Sequence, residues 1–335
     1  MQQQFFSSRH KTLENATVIL TGAAGFIGSH TAEQLIGAGH RVIGLDDLST
    51  GKLSNLWNVI DHENFTFVEG DVLEGSTVAD LCRENRADAI IHLAGLVSVV
   101  VAEERPAKNF RLNLEATHFV ADAARVHNVK RVVFASSAAV YGDISEPLIH
   151  ENCPTRPIGM YGSSKLASEN LLLGYSISYD MEVVCMRYFN VYGDRQDPTN
   201  PYSGVISIFS DRFARGVPVT VYGNGEQTRD FISVRDVARG NVLAATTLQV
   251  ESGSRNVCTG KSRSINELIQ IFSAIYPDAP KTKYAETRAA EIIHSCGNGG
   301  YAAMVLGFEP YISMEDGLCD LVAIQRYQEE HDKAA

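Results

Sequence analysis

The sequence predicts an α/β fold, a doubly wound parallel sheet with a smaller C-terminal substrate-binding lobe. Three observations carry this. Short β-branched and apolar runs alternate with segments of helical spacing up to Asn190, the pattern of successive βαβ units. A glycine-rich turn, with Gly22, Gly25 and Gly28 in GxxGxxG order, lies between the first run and the first helical segment. Beyond Asn190 the texture changes, and segments 194–204 and 222–230 become long and rich in Gly, Pro and Asn.

Taken in order, Thr17–Leu20 reads as the first strand and Phe26–Ala38 as the first helix. Arg41–Leu45 is a strand ending on Asp46-Asp47, and Phe65–Val68 a strand followed by Asp71. Ala89–Leu93 reads as a buried strand, Lys108–His127 as one long helix, and Arg131–Ala135 as a further strand. Glu182–Arg187 adds one more strand to the sheet, and helical pieces follow at 234–248 and 264–275. The expected division is an N-terminal extension over 1–15, a dinucleotide-binding domain over 16–190, and a lobe over 191–335 interleaved with it. A ligand cleft is expected between the lobe and the carboxyl ends of the strands.

Of the 335 residues 44% are apolar and 21% charged, which excludes wholesale disorder. Lys plus Arg total 29 against 40 Asp plus Glu, a net charge of −11, and there is no Lys/Arg run. Nucleic acid and anionic membrane surfaces are therefore not expected partners. The longest apolar stretch, Ala89–Ala102, is interrupted by His92 and Ser98 and falls short of the roughly 18 apolar residues that span a bilayer. The first residues, MQQQFFSSRHKTLENA, have no apolar core or small-residue cleavage site, so a cytoplasmic protein is expected. Cysteines 82, 153, 185, 258, 296 and 319 lack CxxC spacing and read as reduced thiols, with no disulfide framework and no metal site.

Two constellations carry chemistry. The glycine turn Thr21–Gly28 follows a strand and opens a helix, which lets backbone approach a pyrophosphate at the helix N-terminus. Asp46 lies 18 residues beyond Gly28 at the end of the second strand, where a carboxylate accepts ribose hydroxyls and repels a 2′-phosphate, so NAD is expected over NADP. The alternative for Asp46 is a solvated turn residue. Asp71-Val72 is a candidate for the adenine edge, with a helix N-cap as the competing reading. The second constellation is Tyr161 and Lys165, at i and i+4 on one helical face, with Ser137 24 residues before Tyr161 at a strand end. A lysine ammonium and an oxidised nicotinamide both favour phenolate, turning a phenol into an acid/base for an alcohol proton. Ser137 is placed to orient the reacting hydroxyl.

TGAAGFIGSH at 21–30, LDDLSTG at 45–51, the Asp71-Val72 pair, HLAG at 92–95, SSAAVYGD at 136–143, YGSSK at 161–165 and RYFNVYG at 187–193 together resemble the extended short-chain dehydrogenase/reductase family. The resemblance runs from about Ala16 to Pro310, with the UDP-galactose or UDP-N-acetylglucosamine 4-epimerase branch most similar. It implies a Rossmann domain holding NAD through Gly22, Gly25, Phe26, Ile27, Gly28, Asp46, Asp47, Ser49, Thr50, Gly51, Asp71, Val72, Leu93, Ala94, Gly95, Asn113, Tyr161, Lys165 and Tyr188. It implies a UDP-sugar contacted by Ser137, Asn190, Val205, Tyr222, Arg229, Arg288, Glu291 and Ser295, with Tyr222 against uracil and the two arginines on the diphosphate. It further implies a homodimer in which the 108–127 helix and the helix after Tyr161 pair with their symmetry mates; Leu171, Leu172 and Leu173 suit that seam and a buried core face equally well. Ala290-Glu291 stands where the family usually has Gly-Asp, and Gly297-Asn298 where it usually has Ala-Asp. Phe5 and Phe6 of the extension are candidates to pack on the body.

Relatives of this fold also dehydrate or decarboxylate sugar nucleotides, using an acid directly after the active-site hydroxyl residue. Ala138 and Ala139 occupy those places here. The resemblance therefore implies 4-epimerisation through a transient 4-keto sugar. The alternatives are a UDP-glucuronate epimerase, a decarboxylase, a dehydratase, or a non-catalytic NAD sensor. By resemblance Ser295 faces the substituent on sugar carbon 2, where a bulky Tyr fills the position in galactose-restricted epimerases. The smaller serine implies acceptance of the UDP-N-acetylglucosamine/galactosamine pair, with the glucose/galactose pair as a further substrate.

Overall fold

The computed structural model describes residues 11–198, 204–287 and 292–332. Seven strands form one parallel sheet: β1 (Thr17–Thr21), β2 (Arg41–Asp46), β3 (Phe65–Glu69), β4 (Ala89–His92), β5 (Arg131–Ser137), β6 (Glu182–Tyr188) and, after three strands placed elsewhere, β10 (Gly253–Val257). Their spatial order is β10-β6-β5-β4-β1-β2-β3. Burial on both faces explains why the strands read as continuous apolar runs. Val18 and Leu20 of β1 join one core with Val133 and Met186, while Ile19 between them joins the opposite core with Ile43, Ile90 and Val132. On the first face pack α1 (Phe26–Gly37) and α8 (Val234–Thr246); on the other pack α2 (Gly75–Asn85), α5 (Ala116–Val126) and α6 (Gly159–Ser178). The order of the sheet reverses between β1 and β4, so the loops after these strands splay apart and open a crevice at their carboxyl ends.

Between β4 and β5 the chain forms α3 (Val99–Glu104), α4 (Pro106–Phe110), a π-helical turn (Arg111–Glu115) and α5. The helix expected over Lys108–His127 thus begins earlier and is wound wider in its middle. The side chain of Asn113, inside the wide turn, is drawn onto the loop after β4, giving a hydrogen bond to the Leu96 carbonyl and taking one from its N–H, both 3.0 Å. Leu172 of α6 is fully buried in the core against the sheet, so it belongs to the core face of that helix.

The lobe is built from β7 (Asn190–Tyr192), β8 (Thr220–Tyr222), β9 (Thr228–Ser233), β11 (Ser262–Ser264), β12 (Lys283–Ala285), α7 (Val205–Ala214), α9 (Ile265–Ile275) and α11 (Met314–Asp332). Its strands pair as β11-β9-β7 and β12-β8, over a core that includes the stacked Phe213 and Phe272 rings. Two elements beyond Asn190, α8 and β10, return to the large sheet, and α10 (Gly300–Leu306) packs beside them. Buried Arg131 satisfies the C-terminal carbonyls of α8 at Ala244, Ala245 and Thr247, which would otherwise lack partners. Residues 11–13 run beside the same helix end, Leu13 N–H donating to Thr246 O at 2.7 Å. Phe5 and Phe6 lie outside the described residues. The six cysteines are free, and no described helix is long and apolar enough to cross a membrane.

Candidate active site

The glycine turn lies at the switch point, and its geometry demands glycine. Gly22 has φ +72°, a conformation that L side chains rarely adopt, and a Cβ there would lie 2.8 Å from the Ala94 amide nitrogen. A Cβ on Gly28 would fall 1.9 Å from the Gly22 carbonyl oxygen. Helix α1 therefore packs against the turn itself, leaving its N-terminal amides open toward the crevice. Such a cradle fits a pyrophosphate through backbone N–H groups and the positive helix end. Phe26 and Ile27, half-buried, form the first helical positions.

Asp46 closes the side of the cradle. Its carboxylate accepts the Ala24 N–H and the Leu48 N–H, each at 2.9 Å. Burial pushes its pKa up, and those amides oppose the shift. Gly51 lies beneath it, where a Cβ would be 2.8 Å from Oδ1. Asp46 is therefore a buried turn anchor with lone pairs to spare, and not the solvated turn residue that was its alternative. Asp47 is exposed and accepts the Ser49 N–H and hydroxyl, while Thr50 beside them is exposed too. Asp71 accepts the Leu73 N–H at 2.8 Å in a local turn, and Val72 is buried in the core. That turn precedes α2, whose first residue is Gly75, so the Asp71 carboxylate does not cap the helix.

Leu93, Ala94 and Gly95 carry the chain from β4 past the cradle. Gly95 leaves no room for a side chain: its Cβ would lie 2.8 Å from Asn113 Oδ1 and 3.5 Å from Lys165 Nζ. Beneath them His92 is fully buried, and burial with the Lys165 charge pushes its pKa down to about 3, so the ring is neutral. One tautomer satisfies every neighbour. Ala94 N–H donates to Thr21 Oγ1 at 3.2 Å, Thr21 to His92 Nδ1 at 2.8 Å, His92 Nε2–H to Thr117 Oγ1 at 3.3 Å, and Thr117 to the Asn113 carbonyl at 2.6 Å. This chain of donors ties the first strand to the π-turn and holds Asn113 against the site.

The Ser–Tyr–Lys set stands at the next strand end. Ser137 closes β5 and accepts the Ala139 N–H at 3.2 Å. Burial pushes the Tyr161 phenol pKa up, and the Ser137 hydroxyl beside it opposes that shift. Lys165, one turn further along α6, is buried with Nζ 4.9 Å from the Phe134 ring centroid and 6.0 Å from that of Tyr161. Burial pushes its pKa down to about 8, with Glu169 opposing. Tyr188 lies behind them, its hydroxyl donating to Asn241 Oδ1 at 2.6 Å.

The substrate-side candidates Asn190, Arg229 and Ser295 lie in the lobe on β7, β9 and the 292–297 segment, and their polar partners lie within it. Asn190 Nδ2 donates to the Asp230 carbonyl at 3.2 Å, and Ser295 N–H to the Thr228 carbonyl at 3.2 Å. The Arg229 guanidinium bonds the Thr228 carbonyl at 2.9 Å. Tyr222 ends β8 partly exposed, and Val205 opens α7 against the lobe core. Arg288 and Glu291 lie outside the described residues. Asp230 escaped the sequence reading. It is wholly buried and accepts the Thr259 N–H and hydroxyl, the Gly260 N–H and the Gly297 N–H at 2.6–3.1 Å. It thus fastens the segment bearing Ser295 to β9, and its place beside Arg229 was the only signal. The glycine at 297 has a packing reason: a Cβ there would lie 2.6 Å from Cys258 Sγ and 2.7 Å from Phe189 Cζ.

A doubly wound parallel sheet with a glycine cradle at its switch point defines a Rossmann-type dinucleotide-binding enzyme fold. The NAD dependent epimerase/dehydratase family matches residues 18–258, and the chain belongs to that family. The UDP-glucose 4-epimerase of Mycolicibacterium smegmatis is 33% identical over 310 residues, covering 92% of this chain and 98% of that one. Among solved structures, a UDP-N-acetylglucosamine 4-epimerase from Methanobrevibacter ruminantium, in complex with UDP-N-acetylmuramic acid, is 34% identical with a TM-score of 0.89, covering 94% of this chain and all of that one. The UDP-glucose 4-epimerase of Thermus thermophilus in complex with NAD is also 34% identical, with a TM-score of 0.83 over 92% of this chain and 99% of that one.

Proposed function

We propose that the protein is an NAD-dependent 4-epimerase of UDP-hexoses, acting on the UDP-N-acetylglucosamine/galactosamine pair and also on UDP-glucose/galactose. The observation that carries this is the hydroxyl–phenol–ammonium set with no carboxylate in the turn beside it. Ser137, Tyr161 and Lys165 converge, while the turn after Ser137 presents Ala138 and Ala139. A site built this way removes and returns a proton and lacks, in that turn, the acid needed to expel water. The relatives active on UDP-sugars support the same reading.

In this reading the glycine turn and the α1 amides hold the pyrophosphate, and Asp46 accepts ribose hydroxyls. NAD, when bound, supplies the acceptor for the sugar's carbon-4 hydride and gives it back. Ser137 orients the 4-hydroxyl, and Tyr161 takes its proton as the carbon–hydrogen bond breaks. Lys165 stabilises the phenolate. The resulting 4-keto sugar turns over in the pocket, and Tyr161 returns the proton after hydride reaches the other face. The cycle consumes no net reductant.

Purified protein given each of the four UDP-hexoses and analysed by sugar-nucleotide chromatography should yield the opposite 4-epimer. A keto-deoxy sugar, a pentose, or stoichiometric oxidation or reduction of added nucleotide would overturn the reading. For Asp46→Ala, we expect NAD to bind about tenfold more weakly or worse, because the variant loses both the ribose acceptor and the anchor of the Ala24 and Leu48 amides. Discrimination against NADP should narrow with it. Titration of both cofactors checks this, and an unchanged preference would remove Asp46 from the ribose.

Ser295 carries the substrate choice. Ser295→Tyr should selectively depress kcat/KM for the N-acetylated pair, since forcing bulk into a packed site costs about 1–3 kcal/mol, roughly 5- to 150-fold. Equal losses for both pairs would leave Ser295 without that role.

A further inference from the structure

Tyr161, Lys165 and Glu169 recur at i, i+4 and i+8 along one face of α6, and the chemistry above uses only the first two. Glu169 is 1% exposed. Its carboxylate accepts Arg187 Nε at 3.0 Å and Nη2 at 2.7 Å, Ser254 Oγ at 3.1 Å, and the hydroxyl of Ser136. Ser136 immediately precedes Ser137 and lies opposite Arg187 in the β5–β6 register, while Ser254 belongs to β10. A single carboxylate therefore joins the helix carrying Tyr161 and Lys165 to three adjacent strands, one of which ends on Ser137. Stability alone does not call for it, because apolar residues of similar volume commonly replace a buried ion pair at no loss.

The surroundings of Lys165 give the charge a use. Phe134 faces it from β5, neutral His92 from β4, Asn113 and Gly95 from the π-turn and its loop, and Tyr161 and Glu169 from its own helix. Of these only Glu169 is negative. Arg187, a cation behind it, is committed to Glu169, to the Tyr141 hydroxyl at 2.9 Å and to the Glu151 carbonyl.

We infer that Glu169 is a positioning residue for the reaction: it locks the Ser137 strand end and the Tyr161–Lys165 face into one frame and supplies the negative charge that keeps Lys165 an ammonium. Without that charge, burial acts on Lys165 with less opposition, and the lysine loses its proton at a lower pH. Since Lys165 works in its charged form, the alkaline limb of turnover must move down. This inference rests on the proposed 4-epimerase function.

The test is the pH profile of kcat for the NAD-loaded enzyme. Glu169→Gln should shift the alkaline limb down by about one pH unit, a change of about tenfold in turnover on that limb. Its NAD content and KM should stay near those of the parent, and Glu169→Asp should bring the limb back. A stable Glu169→Gln protein whose turnover falls by one factor at every pH, or not at all, overturns the inference and leaves the carboxylate a structural role. Should this variant fail to fold, Glu169→Leu with Arg187→Met removes both charges together; a smaller downward shift is expected, because a cation leaves with the anion, and a limb that stays or moves up overturns the inference. A parent enzyme inert toward every UDP-hexose would defeat the proposed function instead. Nitrogen-15 NMR titration of Lys165 in parent and Glu169→Gln then decides the role of Glu169 separately, a lower midpoint supporting it and an equal one overturning it.

Discussion

Replacing Tyr161 by Phe is expected to lower turnover by about 10²-fold or more while the protein folds and keeps its NAD. The ring stays beside Lys165, whose Nζ is 6.0 Å from its centroid, so the packing of α6 on the strand end is preserved. What disappears is the hydroxyl beside Ser137, the group that exchanges the substrate proton in the proposed mechanism. The proposed mechanism leaves no ready substitute for the base: it uses Lys165 charged, and His92 is sealed beneath the loop with both ring nitrogens engaged. Ser137→Ala should lose less, because a water replaces a hydrogen bond but not a base. Turnover by chromatography, NAD released on denaturation and the melting temperature together check the result. Near-normal turnover in the Phe variant would remove Tyr161 as the base.

The second large effect is expected from a single methyl group. In Gly28→Ala the new Cβ would lie 1.9 Å from the Gly22 carbonyl oxygen and 3.0 Å from Ala23 Cα, all backbone that can yield only by moving the turn off α1. Overpacking of this severity costs about 3 kcal/mol, equivalent to roughly 10²-fold in NAD affinity if it is spent on distorting the cradle. Gly37→Ala, at the other end of the same helix, is the control. A Cβ there meets nothing within 4 Å, so Ala should be neutral or stabilising by about 0.5–1 kcal/mol. Calorimetric NAD titration and thermal melts of the two variants separate them. A Gly28→Ala protein that binds NAD as tightly as its parent would show that the turn yields without harm to the cradle.

The local rules of the chain were sufficient for most of the fold and for the identity of the chemical groups. Apolar runs of strand length, each followed by helical spacing, can bury both faces only as a parallel sheet between helix layers, and β1 to β6 lie where those runs predict. Gly22, Gly25 and Gly28 announced a backbone turn that side chains cannot occupy, and Tyr161 with Lys165 announced a shared helical face. These signals are legible because they depend on residues within a few positions of one another. Tertiary structure decided what depends on distant partners. The wide turn around Asn113 exists because Leu96 captures its side chain, which no spacing encodes. The return of α8 and β10 to the large sheet is decided by which apolar faces find each other after the lobe is built. Glu169 and Asp230 read as ordinary carboxylates in the sequence; only folding carries one beneath Lys165 against Arg187, and the other among the amides of Thr259, Gly260 and Gly297. A buried charge is stable only where distant donors converge on it, and that convergence is a property of the folded chain.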